Sequence, residues 1–178
     1  MSRGALALLL VACIPLPEGN SRIYVAPNKP YFWQDSPTLL IDPLLGSETR
    51  EAISRWERAV GCEFAPSHVV AVSEYSYLMT PYGHMTVTLA ETQAGTVGLS
   101  QLFSDDRYSA PQGRVHSCQI TISPRSRHKV LTLVHEIGHC LGLGHDWDDP
   151  ASVMHSPINA GATITHEDAD LVRWMICR

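Results

Sequence analysis

His135-Glu136-Ile137-Gly138-His139-Cys140-Leu141-Gly142-Leu143-Gly144-His145-Asp146 is the stretch on which the reading of this chain turns. On a helix, residues four apart are offset by about 40° around the axis and ~6 Å along it. His135 and His139 therefore project from one face and can share one ion. Neutral imidazole nitrogen is a good zinc ligand, and a reactive zinc site needs three protein ligands with a fourth position left open. A straight helix would carry residue 145 away from the pair. Gly142 offers the break, because glycine accepts the left-handed conformation that ends helices. The chain can then bend and bring His145 back to the metal. Glu136 adjoins the first ligand and points toward the open position. A carboxylate there can take the proton of a water that zinc has acidified and pass it to a leaving amine.

Outward from this stretch, Val130, Leu131, Val134, Ile137 and Leu141 recur on one face and predict a helix from about His128 through Cys140. Thr165 and Asp168, three apart, form a variant of the capping box. They start a last helix whose buried face is Ala169, Leu171, Val172, Met175 and Ile176. Upstream, GSETREAISRWERAVG (46–61) reads as an amphipathic helix in which Ser47 can cap and Gly61 can terminate. Between the first two helices the chain is β-like, at Val69–Ser73, Met85–Ala90, Thr96–Ser100 and Val115–Ser123. Thr38–Ile41 is a further strand candidate, and Ile23–Val25 a short one. SDDRYSAPQG (104–113) reads as a loop. There is no internal repeat, and the order helix, sheet, helix, coil, helix is α+β.

HEIGHCLGLGH has the HExxHxxGxxH form and resembles the signature of the metzincin zinc metallopeptidases. Ser152-Val153-Met154-His155-Ser156-Pro157 looks like their Met-turn. LGLGHD and the THEDADLVRW helix are most similar to the matrixin branch, and the match covers roughly residues 130 to 175. The resemblance implies a metzincin-like zincin domain: a small mixed twisted sheet, an active-site helix, a Met-turn and a C-terminal helix. It implies one catalytic Zn2+ on His135, His139 and His145, Glu136 as general base and acid, and Met154 as a structural residue beneath the metal. It also implies a peptide or protein substrate held antiparallel along a sheet-edge strand, for which Thr96–Ser100 is the candidate. His155–Ile158 would then wall the pocket for the residue after the cut. Ser156 stands where astacins and serralysins carry a tyrosine, and Pro157 falls one residue later than the matrixin proline, so the branch stays open. The other reading is a zinc-stabilised surface binding module without catalysis, against which Glu136 argues.

At 178 residues the chain suits one domain with a real core. The net charge of −5 is mild, and no lysine/arginine cluster points to nucleic acid. Asp105-Asp106 and Asp146, Asp148 and Asp149 could hold calcium, but no calcium-loop pattern is present and they read as solvated loop acids. Asp146 could instead orient His145. Arg125, Arg127 and Lys129 read as a solvated start to the second helix. His68, His84, His116, His128, His155 and His166 read as surface or loop residues. Near the start, Arg3 precedes the apolar run Ala5–Ala12, too short to span a bilayer and patterned like a signal peptide. Leu10-Val11-Ala12-Cys13 looks like a bacterial lipobox, an ordinary cut near Ala12 being the alternative. This divides the chain into a signal (1–12), a tether and irregular segment (13–36) and a catalytic domain (37–178). The expected product is a monomer, exported to the bacterial envelope as a lipoprotein on Cys13, or secreted. Cys62, Cys118, Cys140 and Cys177 remain, an even number suited to two disulfides outside the cytosol. Of three possible pairings, Cys62–Cys118 with Cys140–Cys177 is preferred, tying the active-site helix to the last one.

Overall fold

In the computed structural model of the chain, the structure describes residues 9–11, 25–26, 29–33, 35–64, 69–71, 80–93, 95–105 and 113–177. Eight strands lie among them: β1 (Leu9–Val11), β2 (Val25–Ala26), β3 (Lys29–Trp33), β4 (Thr38–Ile41), β5 (Val69–Ala71), β6 (His84–Leu89), β7 (Gly98–Asp105) and β8 (Gly113–Ile122). Three α-helices accompany them: α1 (Gly46–Val60), α2 (Lys129–Cys140) and α3 (His166–Ile176). The sheet runs β1-β7-β8-β6-β4-β5, with β3 alongside the start of β8 and β2 on β3. It is mixed. β5, β4, β6 and β8 are parallel to their neighbours, whereas β7 runs antiparallel to β8. The α+β class is thus the one expected.

The helices follow their apolar stripes. In α1 the buried residues are Thr49, Ala52, Ile53, Trp56 and Val60, the spacing of one helical face. Gly61 ends it at φ 76°, and its N–H donates to Glu57 O at 2.8 Å. Ser47 does not cap, because its hydroxyl donates to Glu48 instead. The helix grows out of a 3-10 turn (Pro43–Leu45) that is capped by the Asp42 carboxylate accepting from Leu44 N. α2 is buried from Thr132 through Cys140, as a helix inside a core must be. It is held by two indoles. Trp56 Nε1 donates to Val134 O and Trp33 Nε1 to Cys140 O, each at 2.8 Å. One contiguous core joins both helices to the sheet. The capping box predicted for α3 is present in full, with Thr165 and Asp168 each accepting from the other's backbone.

Within the segment 13–36, expected as a tether and an irregular stretch, residues 25–26 and 29–33 form β2 and β3, and Trp33 is buried in the core. Two expectations need correction. The strand expected at Thr96–Ser100 is Gly98–Asp105, and it is not the edge of the sheet, because β1 pairs along it. Pairing with β8 carries it past the composition-based loop boundary, through a register shift between Phe103 and Ser104. Leu9–Val11, read as part of a signal, pair antiparallel with Ser100–Leu102. The disulfides are Cys62–Cys177 and Cys118–Cys140, not the preferred pairing. The reason is packing. α2 crosses the sheet and sets Cys140 over Cys118 of β8, while α3 returns against α1 and sets Cys177 beside Cys62. Two such bonds suit an oxidising setting. No helix among the described residues is long and apolar enough to cross a membrane. Cys13, the tether residues 14–24, His68, Val72–Ser73 and the loop residues 106–112 lie outside the described residues.

Candidate metal centre

α2 places His135 and His139 on successive turns, both buried. The helix ends at Cys140, and Gly142 takes φ 102°. Gly142 N donates to His139 O and Leu143 N to Gly138 O, closing the turn that reverses the chain. His145 returns to the pair through this break. Its ring centroid lies 5.3 Å from that of His135 and 4.8 Å from that of His139. One ligand atom from each of the three lies within 4.8 Å of the others, so the group could hold a metal ion.

Hydrogen bonding decides which nitrogens are offered. His135 Nδ1 lies 2.7 Å from Val153 O, and His139 Nδ1 lies 2.8 Å from Leu143 O. A carbonyl can only accept, so both Nδ1 atoms carry the proton and both Nε2 atoms present lone pairs. Those two Nε2 atoms face each other at 3.0 Å. Two lone pairs at that distance repel unless a cation lies between them. Burial also pushes the His135 and His145 imidazoles down to about 4, and His139 well below its ordinary value. All three are therefore neutral at pH 7, the state in which imidazole binds metal.

Glu136 follows His135 and is 1% exposed. Burial raises its carboxyl to about 8, and its Oε2 has no hydrogen-bond partner. The Ser100 hydroxyl of β7 acts on it in the lowering direction, although Ser100 Oγ is itself buried without a partner at hydrogen-bond geometry. An orphaned buried oxygen beside convergent imidazole lone pairs is what a site built around a cation would leave. The donor set fits zinc by the same chemistry, with three neutral nitrogens from two helical turns and a loop.

The turn around Met154 packs against the helix that carries His135 and His139. Met154 is buried, and Gly138 of α2 approaches it so closely that a Cβ there would collide with its Sδ. Met154 N donates to Ser152 Oγ, and Ser152 Oγ donates to Asp168 Oδ2 of the α3 capping box, each at 2.9 Å. Val153 O in the same turn is the acceptor that sets the His135 tautomer. Asp146 is buried, and its N–H donates to Met154 O. Its carboxylate accepts from Asp148 N and Asp149 N, fixing the turn after His145. Asp146, Asp148 and Asp149 are not gathered as metal ligands are.

Other residues reach the site from outside the histidine stretch, some of them in the segments 96–100 and 155–158 already expected beside it. Gly98 lets β7 pass against Glu136, and Ser100 follows two residues on. His155, read as a loop residue, lies close enough to His145 to help depress it. Trp147 stands edge-on to His145 with centroids 5.1 Å apart. A cavity of about 900 Å³ opens beside Glu136, reaching Val97, Leu131, Ser156, Pro157 and Ile158. Arg125 and Arg127, read as a solvated helix start, also line it. Only a strand pairing with β8 or a loop meeting α2 brings these together, and neither leaves a periodicity to read. Compared with protein-family models the chain matches none, and no curated protein matches it significantly.

Proposed function

We propose that the chain is a zinc-dependent endopeptidase of the metzincin type, with His135, His139 and His145 as ligands and Glu136 as general base and acid. The observation that carries this is the buried Glu136 carboxylate, with one oxygen unpartnered, beside three neutral imidazoles whose lone pairs converge. A protein that used the metal only as a staple would have no need to bury an acid there. A bound zinc ion supplies a Lewis acid that acidifies water and polarises a carbonyl.

The chain's own residues do the rest. Val153 O and Leu143 O hold the two helical imidazoles in the ligating tautomer. The dry surroundings keep Glu136 basic enough to take a proton and acidic enough to return it. β7 would hold an extended peptide antiparallel in the place that Leu9–Val11 occupy here, which removal of the expected signal would vacate. Ser156, Pro157 and Ile158, just after Met154, line the cavity that would receive the residue following the cut. The matrixin-like branch fits the LGLGHD stretch best. Export as a lipoprotein on Cys13, or secretion, accords with the two disulfides, and a monomer acting on protein or peptide completes the proposal.

The test is Glu136→Gln in zinc-loaded protein. Zinc should stay near one per chain while peptide hydrolysis falls by about 10²- to 10⁴-fold. Protein that holds no zinc, or a variant that cleaves like the parent, removes the proposal. Zinc without cleavage in the parent would favour the binding-module reading.

A further inference from the structure

We infer that the cavity beside Glu136 selects its occupant by charge, favouring a substrate side chain with an anionic end and turning away lysine and arginine. This rests on the peptidase reading above and addresses what it leaves open, the class of substrate.

The walls of the cavity are unlike its rim. Val97, Leu131, Pro157 and Ile158 are apolar. Two hydroxyls on the wall are already engaged. Ser126 Oγ and Thr132 Oγ1 bond each other at 3.0 Å, and Thr132 Oγ1 also donates to His128 O. Among the described residues the one acid lining the cavity is Glu136, which is buried and follows His135 in the chain. The remaining ionisable residues lining it are Arg125, Arg127 and His128. Arg125 is paired with Glu91, so part of its charge is compensated. Arg127 is exposed and makes no ion pair among the described residues. In a chain with a formal charge of −5, two arginines thus stand on the lining of this cavity.

Local structure fixes them there. Between β8 and α2, Ser126 N donates to Ser123 O and Arg125 N to Ser123 Oγ. That turn presents 125–128 to the cavity. α2 begins without a side-chain cap and without an acid in its first turn, so its partial positive end is not offset. A second cavity of about 490 Å³ shares Arg127, His128 and Leu131 with the first and adds Lys129, Glu48 and Arg55, the last paired with Glu51. The basic lip therefore continues away from the metal.

An apolar wall alone would accept the stem of lysine, methionine or glutamate alike. The end group decides. Beside solvent-exposed guanidinium the effect is modest and sensitive to salt.

The experiment uses zinc-loaded protein and quenched-fluorescent peptides that differ only at the residue after the cut, which is glutamate, glutamine, methionine or lysine. At low salt, kcat/KM for glutamate should exceed that for isosteric glutamine about threefold to fivefold, and lysine should fall below methionine by a similar factor. Both ratios should shrink toward unity at about 500 mM salt. Arg127→Glu should reverse the order of glutamate and lysine. Binding of the same peptides to zinc-loaded Glu136→Gln, read by fluorescence anisotropy, should give the same order without turnover. Cleavage with no preference, or an order unchanged in Arg127→Glu, overturns charge selection and leaves the peptidase standing. Ordered binding with no cleavage by the parent supports charge selection and removes the peptidase. Neither order nor cleavage removes both.

Discussion

Replacing Gly98 with alanine tests how Glu136 is held. A Cβ at Gly98 would lie 2.5 Å from Thr132 Cγ2, 2.6 Å from Glu136 Oε1 and 3.0 Å from Glu136 Cγ. Ordinary contact begins near ~3.5 Å, so about 1 Å must be found. Gly98 is not among the glycines at positive φ, so alanine's own backbone preference is not at issue. β7 cannot easily retreat. It is paired with β8 from Gly98 to Asp105, and Val97 O accepts from Ser123 N at 3.0 Å. The softer element is the Glu136 side chain, which must swing. A shift of about 1 Å in a catalytic group costs on the order of 10²-fold in rate, and the overpacking costs roughly 1–3 kcal/mol of stability. Hydrolysis of a peptide substrate, zinc content and thermal unfolding should be measured together. We expect kcat to fall about 100-fold and Tm to fall by several degrees, with zinc near one per chain, because the imidazoles are untouched. Adding Thr132→Ser removes the methyl contact but keeps both the hydroxyl and the clash with Glu136. Stability should then recover in part while the rate does not. A Gly98→Ala protein with native rate and stability would refute the reasoning. So would a rate that returned in step with stability in the double variant.

Two further outcomes follow from the same geometry. In metal-free protein, His135 and His145 sit at about 4 against an ordinary 6.5, so their contribution is present above pH 6.5 and lost as pH falls toward 4. Glu136 sits at about 8 against 4.5, so its contribution is present below pH 4.5 and lost as pH rises toward 8. Below pH 6.5 the imidazoles outweigh the one carboxyl, and above it only the carboxyl titrates. Chelated protein should therefore be most stable near pH 6.5 and lose up to about 2 kcal/mol by pH 8. Urea unfolding across that range checks this, and stability that rises from pH 6.5 to 8 would contradict it. Asp168→Ala removes the acceptor of Ser152 Oγ and Thr165 N, both at 2.9 Å, from a buried position. Two hydrogen bonds to a carboxylate represent about 3–5 kcal/mol. A Tm drop on the order of 10 °C should appear in a thermal melt with excess zinc, and an unchanged Tm would mean the turn around Met154 does not depend on α3.

What the sequence made legible was whatever lies along one element. The spacing of His135 and His139, the break at Gly142, the cap at Thr165 and the stripe of α1 are each written within a few residues, and each stands in the structure as expected. What the sequence hid depends on which elements meet. Ser47 looked like a cap in isolation, but Asp42 had already capped the turn before it. Cysteine spacing could not choose among three pairings, because the choice lies in α2 crossing β8 and α3 meeting α1. The same holds at the site. The imidazoles come from one short stretch, whereas the groups that tune them come from elsewhere: Val153 O sets a tautomer, and Gly98 admits the carboxylate from a strand 38 positions before Glu136. Arg127 looked like a solvated charge, and it is exposed. It also lines a cavity together with the loop after Met154 and Leu131 of α2. A cluster of histidines that could hold a metal can therefore be read from a spacing, while the groups that surround it come from contacts between segments that carry no shared pattern. That difference is why the proposed role of Glu136 rests on its neighbours in the chain, whereas the proposed charge selection rests on its neighbours in space.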